Sequence, residues 1–181
     1  ARIYTKATTI LVDDPLFTFI GSGKILGGVP IQFVYMLVVI VISGLILNRT
    51  KFGRNIYAVG DNKQAASYSG INSRRVTMTV FVIMGIFASC AGILSSARTF
   101  SAQFNVGEGS EMDAISAVVL GGTSMSGGVG RLSGTIIGCI VIGVLNNGMN
   151  ILGIDSSWQY VVKGVVVLIA VFIDYIKKMK D

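Results

Sequence analysis

The sequence predicts an all-α membrane protein, a helical transmembrane bundle that contains one short broken or re-entrant helix. Three observations carry that reading. Hydrophobic residues make up 52% of the chain and charged residues only 13%, with a mean hydropathy of +0.72, too little charge to cover a soluble surface. The apolar residues gather in runs of roughly 17 to 22, close to the length that crosses a hydrocarbon layer. The charge is also segregated. Residues 48–75 hold Arg49, Lys51, Arg54, Lys63, Arg74 and Arg75 against the single acid Asp61, while the flanking runs 31–47 and 76–97 hold no charged residue. Such asymmetry marks a cytoplasmic loop between membrane spans.

Residues 1–29 mix Thr, Asp13, Asp14, Pro15, Phe17 and Phe19 with a glycine-bearing run from 21 to 28. They show no sustained helical period, and Pro15 and the glycines are expected to break any helix, so an extracytoplasmic loop is expected here. The membrane region is expected over 30–181. Pro30 stands where a helix start tolerates it, and 31–47 gives about 26 Å of helix leading inward. Inside the basic loop, 62–69 reads as a short helix. Its Ala65 and Ala66 leave a smooth patch, and Gly60 before it and Gly70 after it are points of chain reversal. A small helix offering small residues suits docking into another protein's groove; a basic loop held near anionic headgroups is the plainer alternative.

The run 76–97 offers about 33 Å of helix and carries Gly85, Ser89, Gly92 and Ser96 along one face. That face is read as a helix-packing seam rather than a substrate path. Residues 112–120 supply only about 13 Å, too short to cross by themselves, which is the basis for a broken or re-entrant crossing. The glycine-rich turn 121–131 follows and is placed on the cytoplasmic side, where its non-helical backbone must be buried in protein or face water. Neither nucleotide-binding motif survives in it. Gly122 and Gly127 are followed by Gly128 where a phosphate loop needs Lys, and Gly128-Val129-Gly130 meets Ser133 where a third glycine is required.

Residues 132–152 are again long enough to span, about 31 Å, with Gly134 and Gly138 in GxxxG spacing and Asn146, Asn147 and Asn150 toward the outer half. After an outer turn, Trp158 and Tyr160 suit an interface, and a last apolar run leads to Asp174 and the lysine-rich tail. Lys163 is the only basic residue inside a span. About two turns from Trp158, it is expected to snorkel outward rather than to act in transport. The charge count agrees with this topology: ten basic residues fall inside and Arg2, Lys6, Lys24 and Arg98 outside.

The chemistry of an enzyme is missing from the sequence. There is no His, no Ser or Cys beside a plausible base, and no carboxylate pair within an apolar run. Cys90 and Cys139 lie in apolar runs as small packing residues, without metal-ligand spacing, so neither a metal nor a cofactor is expected. The net charge of +6 reports orientation and does not imply nucleic acid. No signal peptide is read at Ala1, and the chain is expected to be the C-terminal part of a longer protein.

Within the loop, Gly53-Arg54, Ala58-Val59-Gly60, Asn62, Ala65-Ala66 and Ser69-Gly70-Ile71-Asn72 resemble the coupling loop of ribose-type sugar permeases of bacterial ATP-binding cassette importers. The resemblance continues through Ala88-Ser89, Ala91-Gly92-Ile93, Ser101-Ala102-Gln103, Gly107, Glu111 and Asp113-Ala114-Ile115. It runs on through residues 117–123, Gly127-Gly128, Gly130, Gly134-Thr135, Gly138, Gly143, Asn146-Asn147-Gly148, Asn150 and Lys163 to Asp174. It is densest over 52–174, and implies half of a larger permease.

That resemblance implies a monosaccharide permease subunit of the bacterial inner membrane, with partners that supply what it lacks. Those are an ATP-binding cassette ATPase subunit, a periplasmic or lipid-anchored sugar-binding protein and a second permease copy. Gly60, Asn62, Ala65, Ala66, Ser69, Gly70, Ile71 and Asn72 would form the ATPase-coupling loop. Gln103, Glu111, Asn146, Asn147 and Asn150 are candidate translocation-pathway residues, the three asparagines because amides facing lipid are costly. Interhelical hydrogen bonding is the preferred role for those asparagines, and direct sugar contact the other. The readings from other classes are a stand-alone channel or ion-driven carrier, which needs an ionisable relay within its spans, and a structural membrane subunit.

Overall fold

The computed structural model describes residues 10–11, 14–25, 28–102 and 107–180, and the elements among these described residues are eight α-helices and four two-residue strands joined by turns. The chain divides into two compact units. The first is built from β1 (Ile10–Leu11), α1 (Pro15–Ser22), β2 (Lys24–Ile25), β3 (Val29–Pro30), α2 (Ile31–Arg49), nearly all of α5 (Ser73–Arg98) and β4 (Ser101–Ala102). The second holds α3 (Lys51–Asp61), α4 (Lys63–Tyr68), α6 (Ser110–Leu120), α7 (Leu132–Ile151) and α8 (Ser156–Lys180).

In the first unit the segment expected to be a loop contains a helix and two small antiparallel ladders. Pro15 starts α1 rather than breaking it, because a first helical position has no hydrogen bond for the missing N–H to make. Asp14 caps the helix by accepting from the amides of Leu16 at 2.8 Å and Phe17 at 3.4 Å. Strand β2 pairs with β3, Lys24 opposite Pro30, and β1 pairs with β4, Ile10 opposite Ala102. Gly21 of α1 lies so close to the backbone at Ala97 and Arg98 of α5 that a Cβ there would collide with it. Gln32 Nε2 donates to the Gly21 carbonyl at 2.6 Å and fastens α1 to the start of α2.

Helices α2, α5 and α7 are each long and apolar enough to cross a membrane. In α8 the apolar stretch Ser156–Phe172 is shorter, while the helix itself continues into the lysine-rich tail. Apolar side chains such as Val41, Phe81, Val144 and Leu168 are exposed on these helices. Hydrocarbon or other helices would cover them, since lipid and leucine are equally apolar and nothing drives such faces inward.

The basic loop holds two helices, not one. Thr50 caps α3 through a 3.0 Å bond from the Gly53 amide, and α3 turns Phe52, Gly53 and Ile56 inward and Lys51 and Arg54 outward. In the second unit, α6 packs most closely on α7 and then on α8. The small residues decide that order. A Cβ on Gly134 would collide with the Gly121 carbonyl, and one on Gly138 with the Ala117 carbonyl, so α6 and α7 touch backbone to backbone.

Candidate functional site

The loop residues singled out from sequence form one compact feature. Asn62 caps α4, its Oδ1 accepting from the amides of Gln64 and Ala65, both at 3.0 Å. Ser69 and its hydroxyl both donate to the Ala65 carbonyl, and Gly70, at φ 81°, reverses the chain where only glycine turns without strain. The Ile71 amide then closes onto the Ala66 carbonyl at 3.0 Å. Ala66 is turned into the chain with 5% of its surface exposed. Ala65 and Asn72 are exposed and Ile71 half-buried. Every residue of α4 except Ala66 is exposed, namely Lys63, Gln64, Ala65, Ser67 and Tyr68, and Tyr68 is 90% exposed. Nothing in the sequence pattern singles out Tyr68, because a lone aromatic in a polar loop carries no period.

Gly60 fixes what lies behind this loop. A Cβ on it would stand 2.8 Å from the Gly128 amide, Gly127 lies against the Gly60 carbonyl, and Gly128 against Asp61. The Tyr57 hydroxyl donates to the Gly130 carbonyl at 3.1 Å. The glycine-rich turn after α6 is thus the bed on which the end of α3 rests, with Gly127 and Gly128 at φ 93° and 76°. Its glycines serve close backbone approach rather than phosphate. Ser73 Oγ donates to the Lys63 carbonyl at 3.3 Å and ties the start of α5 to α4.

The pathway candidates disperse. Gln103 lies outside the described residues. Glu111 is exposed on α6, and Asn147 is exposed on α7. Asn150 accepts from Gln159 Nε2 of α8 at 3.0 Å. Asn146 alone enters a buried cluster: its Nδ2 donates to Asp113 Oδ2 at 3.0 Å, and its Oδ1 is buried without a hydrogen-bond partner among the described residues. Asp113 Oδ1 lies 2.6 Å from Lys163 Nζ.

This corrects the expectation for Lys163. It does not reach outward past Trp158; it is 8% exposed and paired with a carboxylate on α6. Burying the ammonium is tolerable here because the opposite charge is in contact. A partial sign was visible in the sequence, since Lys163 is the one cation in the apolar run after Trp158 and so calls for a counter-charge, but Asp113 follows Glu108 and Glu111 and its selection depends on how α6 folds back. Of the packing seam in α5, Gly85 and Gly92 have open space beside them, Ser89 donates to the Gly85 carbonyl of its own helix at 2.8 Å, and Ser96 is half-buried.

Between α7 and α8, Asp155 accepts from the Ser157 amide at 2.8 Å, and this bond, with one from the Ser157 side chain, holds its carboxyl below the ordinary 3.8.

Three helices long and apolar enough to span, a half-length helix packed on two others and a capped basic loop, all among the described residues, define a multi-pass helical membrane protein. The chain belongs to the family described as the branched-chain amino acid transport system / permease component, whose model matches residues 3–171. It is 48% identical over 158 residues to the ribose import permease protein of Bacillus subtilis (strain 168), covering 87% of this chain and 49% of that one. Against the ribose import permease protein of Escherichia coli (strain K12) it is 48% identical over 88% of this chain and 49% of the relative. Against the xylose transport system permease protein of Haemophilus influenzae (strain ATCC 51907 / DSM 11121 / KW20 / Rd) it is 44% identical over 84% and 41%. The chain spans about half the length of the curated relatives it matches. No solved structure matches it.

Proposed function

We propose that this chain is part of the membrane-spanning permease subunit of a bacterial ATP-binding cassette importer for a monosaccharide. It would line part of the translocation pathway and couple, through residues 48–75, to a separate ATPase subunit. The observation that carries the reading is the 48% identity across 87% of the chain to a protein named for ribose import. The loop supports it. A six-residue helix, capped at one end, reversed by glycine at the other and preceded by a helix whose end rests on glycine backbone, is a projection suited to a partner's groove. The buried, unpaired Oδ1 of Asn146 is an acceptor that a sugar hydroxyl or a neighbouring helix would satisfy. The sugar-binding protein and the second permease copy belong to the same proposal.

The test uses the full-length permease, reconstituted in proteoliposomes with its ATPase and sugar-binding partners. Labelled ribose or xylose is expected to accumulate only with ATP, the binding protein and the permease together. Accumulation that persists without the ATPase would instead favour a channel or an ion-driven carrier.

A further inference from the structure

Asp113, Lys163 and Asn146 belong to three different helices, α6, α8 and α7, and meet at one point. The Asn146 amide orientation follows from the contact, since the reversed amide would set oxygen against the Asp113 carboxylate. Lys163 Nζ also lies 5.8 Å from the centre of the Tyr160 ring. That ring presses on Gly109 at the head of α6, where a Cβ would stand 2.5 Å from it. The contacts of α6 thus recur at Gly109, Asp113, Ala117 and Gly121. These are four-residue steps along one face, met in turn by Tyr160, the Lys163–Asn146 pair, Gly138 and Gly134.

We propose that Asp113, Asn146 and Lys163 form a charge-neutral latch that fixes the short helix α6 on α7 and α8, with Asp113 and Lys163 as positioning residues rather than an ion site. An 11-residue helix, about 16 Å long, has no interfacial anchor at both ends to set its depth. In a membrane no hydrophobic force presses it on its neighbours, and the glycine contacts alone permit sliding along the helix axis. A lysine–carboxylate contact inside an apolar stretch does not permit sliding, because displacement by one turn leaves both charges unpaired. The geometry accounts for Lys163 directly. The cation is tolerated in α8 because α6 delivers its counter-charge, and α6 keeps its register because that counter-charge has one place to go.

The test reads the position of α6 without transport, and so stands or falls apart from the proposed function. Ser116 is 1% exposed in the middle of α6. In the full-length permease lacking other reactive cysteines, Ser116→Cys is expected to react slowly with N-ethylmaleimide in membranes. Asp113→Asn and Lys163→Met should each raise that rate about tenfold or more, since each leaves one buried charge unpaired. The double variant Asp113→Asn/Lys163→Met and the reversed pair Asp113→Lys/Lys163→Asp should return it to within about threefold of the parent. If the single variants fail to accumulate, the paired variants should restore accumulation. The latch is overturned if the single variants leave Ser116→Cys as shielded as before, or if neither paired variant recovers what the single ones lose.

Discussion

Single atoms decide much of this molecule, and glycine shows it most directly. Gly138 and Gly143 stand five residues apart in α7 and are indistinguishable by propensity. At Gly138 a Cβ would meet the carbonyl of Ala117, backbone that cannot move aside, whereas around Gly143 nothing approaches within 4 Å. Gly138→Ala is therefore expected to cost about 1–3 kcal/mol through overpacking. Gly143→Ala should be neutral or gain up to about 1 kcal/mol of helix propensity. Thermal unfolding of the purified full-length permease compares the two, and equal shifts would refute the backbone contact of α6 with α7. Asp155 gives a residue-level prediction of another kind. Its carboxyl is held below 3.8 by the Ser157 bonds, so the charged form favours the folded turn. That contribution is complete above pH 3.8 and fades as the pH falls toward the lowered folded value. Amide exchange over 155–159, corrected for intrinsic rate, should show protection that is lost in acid. In Asp155→Ala the same protection should be absent at every pH.

At the scale of elements, α4 and α6 show what a pattern reveals and what it hides. The helix at 62–69 was legible because its signals are local: Gly60 before it, Gly70 after it and alanines between. Helix α3 was not, since Gly53 and Gly60 argue against helix, and Gly60 is present for contact with the turn at 127–128 that no local rule contains. The brevity of α6 was legible as a count of apolar residues. Its latch was not, because Asp113 and Lys163 are 50 residues apart in the sequence and meet only through tertiary packing. Legibility also misleads at Ala66, which has the small size a docking patch needs yet faces inward. Ala66→Asp would bury a carboxylate with no partner at a cost of several kcal/mol, and a transport defect would then report folding rather than docking. Tyr68→Ala is the sharper variant, because an exposed aromatic at the tip of a rigid helix is the kind of residue that anchors an interface. Folded yield should stay unchanged, while ATP hydrolysis stimulated by the sugar-loaded binding protein should fall about tenfold or more. Normal stimulation would remove the outward face of α4 from the coupling surface.

For the molecule as a whole the governing quantity is where charge can reside. Helix α5 runs as a single apolar element from Ser73 to Arg98, about 39 Å, enough to carry the chain from one membrane face to the other. The basic residues gather before its start and in its first turn, in 48–75, and around the turn on which the end of α3 rests, where Arg131 lies. Because positive charge is retained on the cytoplasmic face, we propose that the loop and the glycine-rich turn lie inside and that the segment after α5 lies outside. Ser67 and Glu108 are exposed and stand on either side of α5 in the sequence, which makes them suitable reporters. In full-length permease lacking Cys90, Cys139 and any other native cysteine, Ser67→Cys and Glu108→Cys should react with an impermeant maleimide from opposite faces of sealed vesicles. Glu108→Cys should label from outside intact spheroplasts, and Ser67→Cys only in inverted membranes. Labelling of both from one face would mean that α5 does not cross. The basic loop would then lose its assignment to the side where an ATPase could reach it, and the coupling proposal would fall with it.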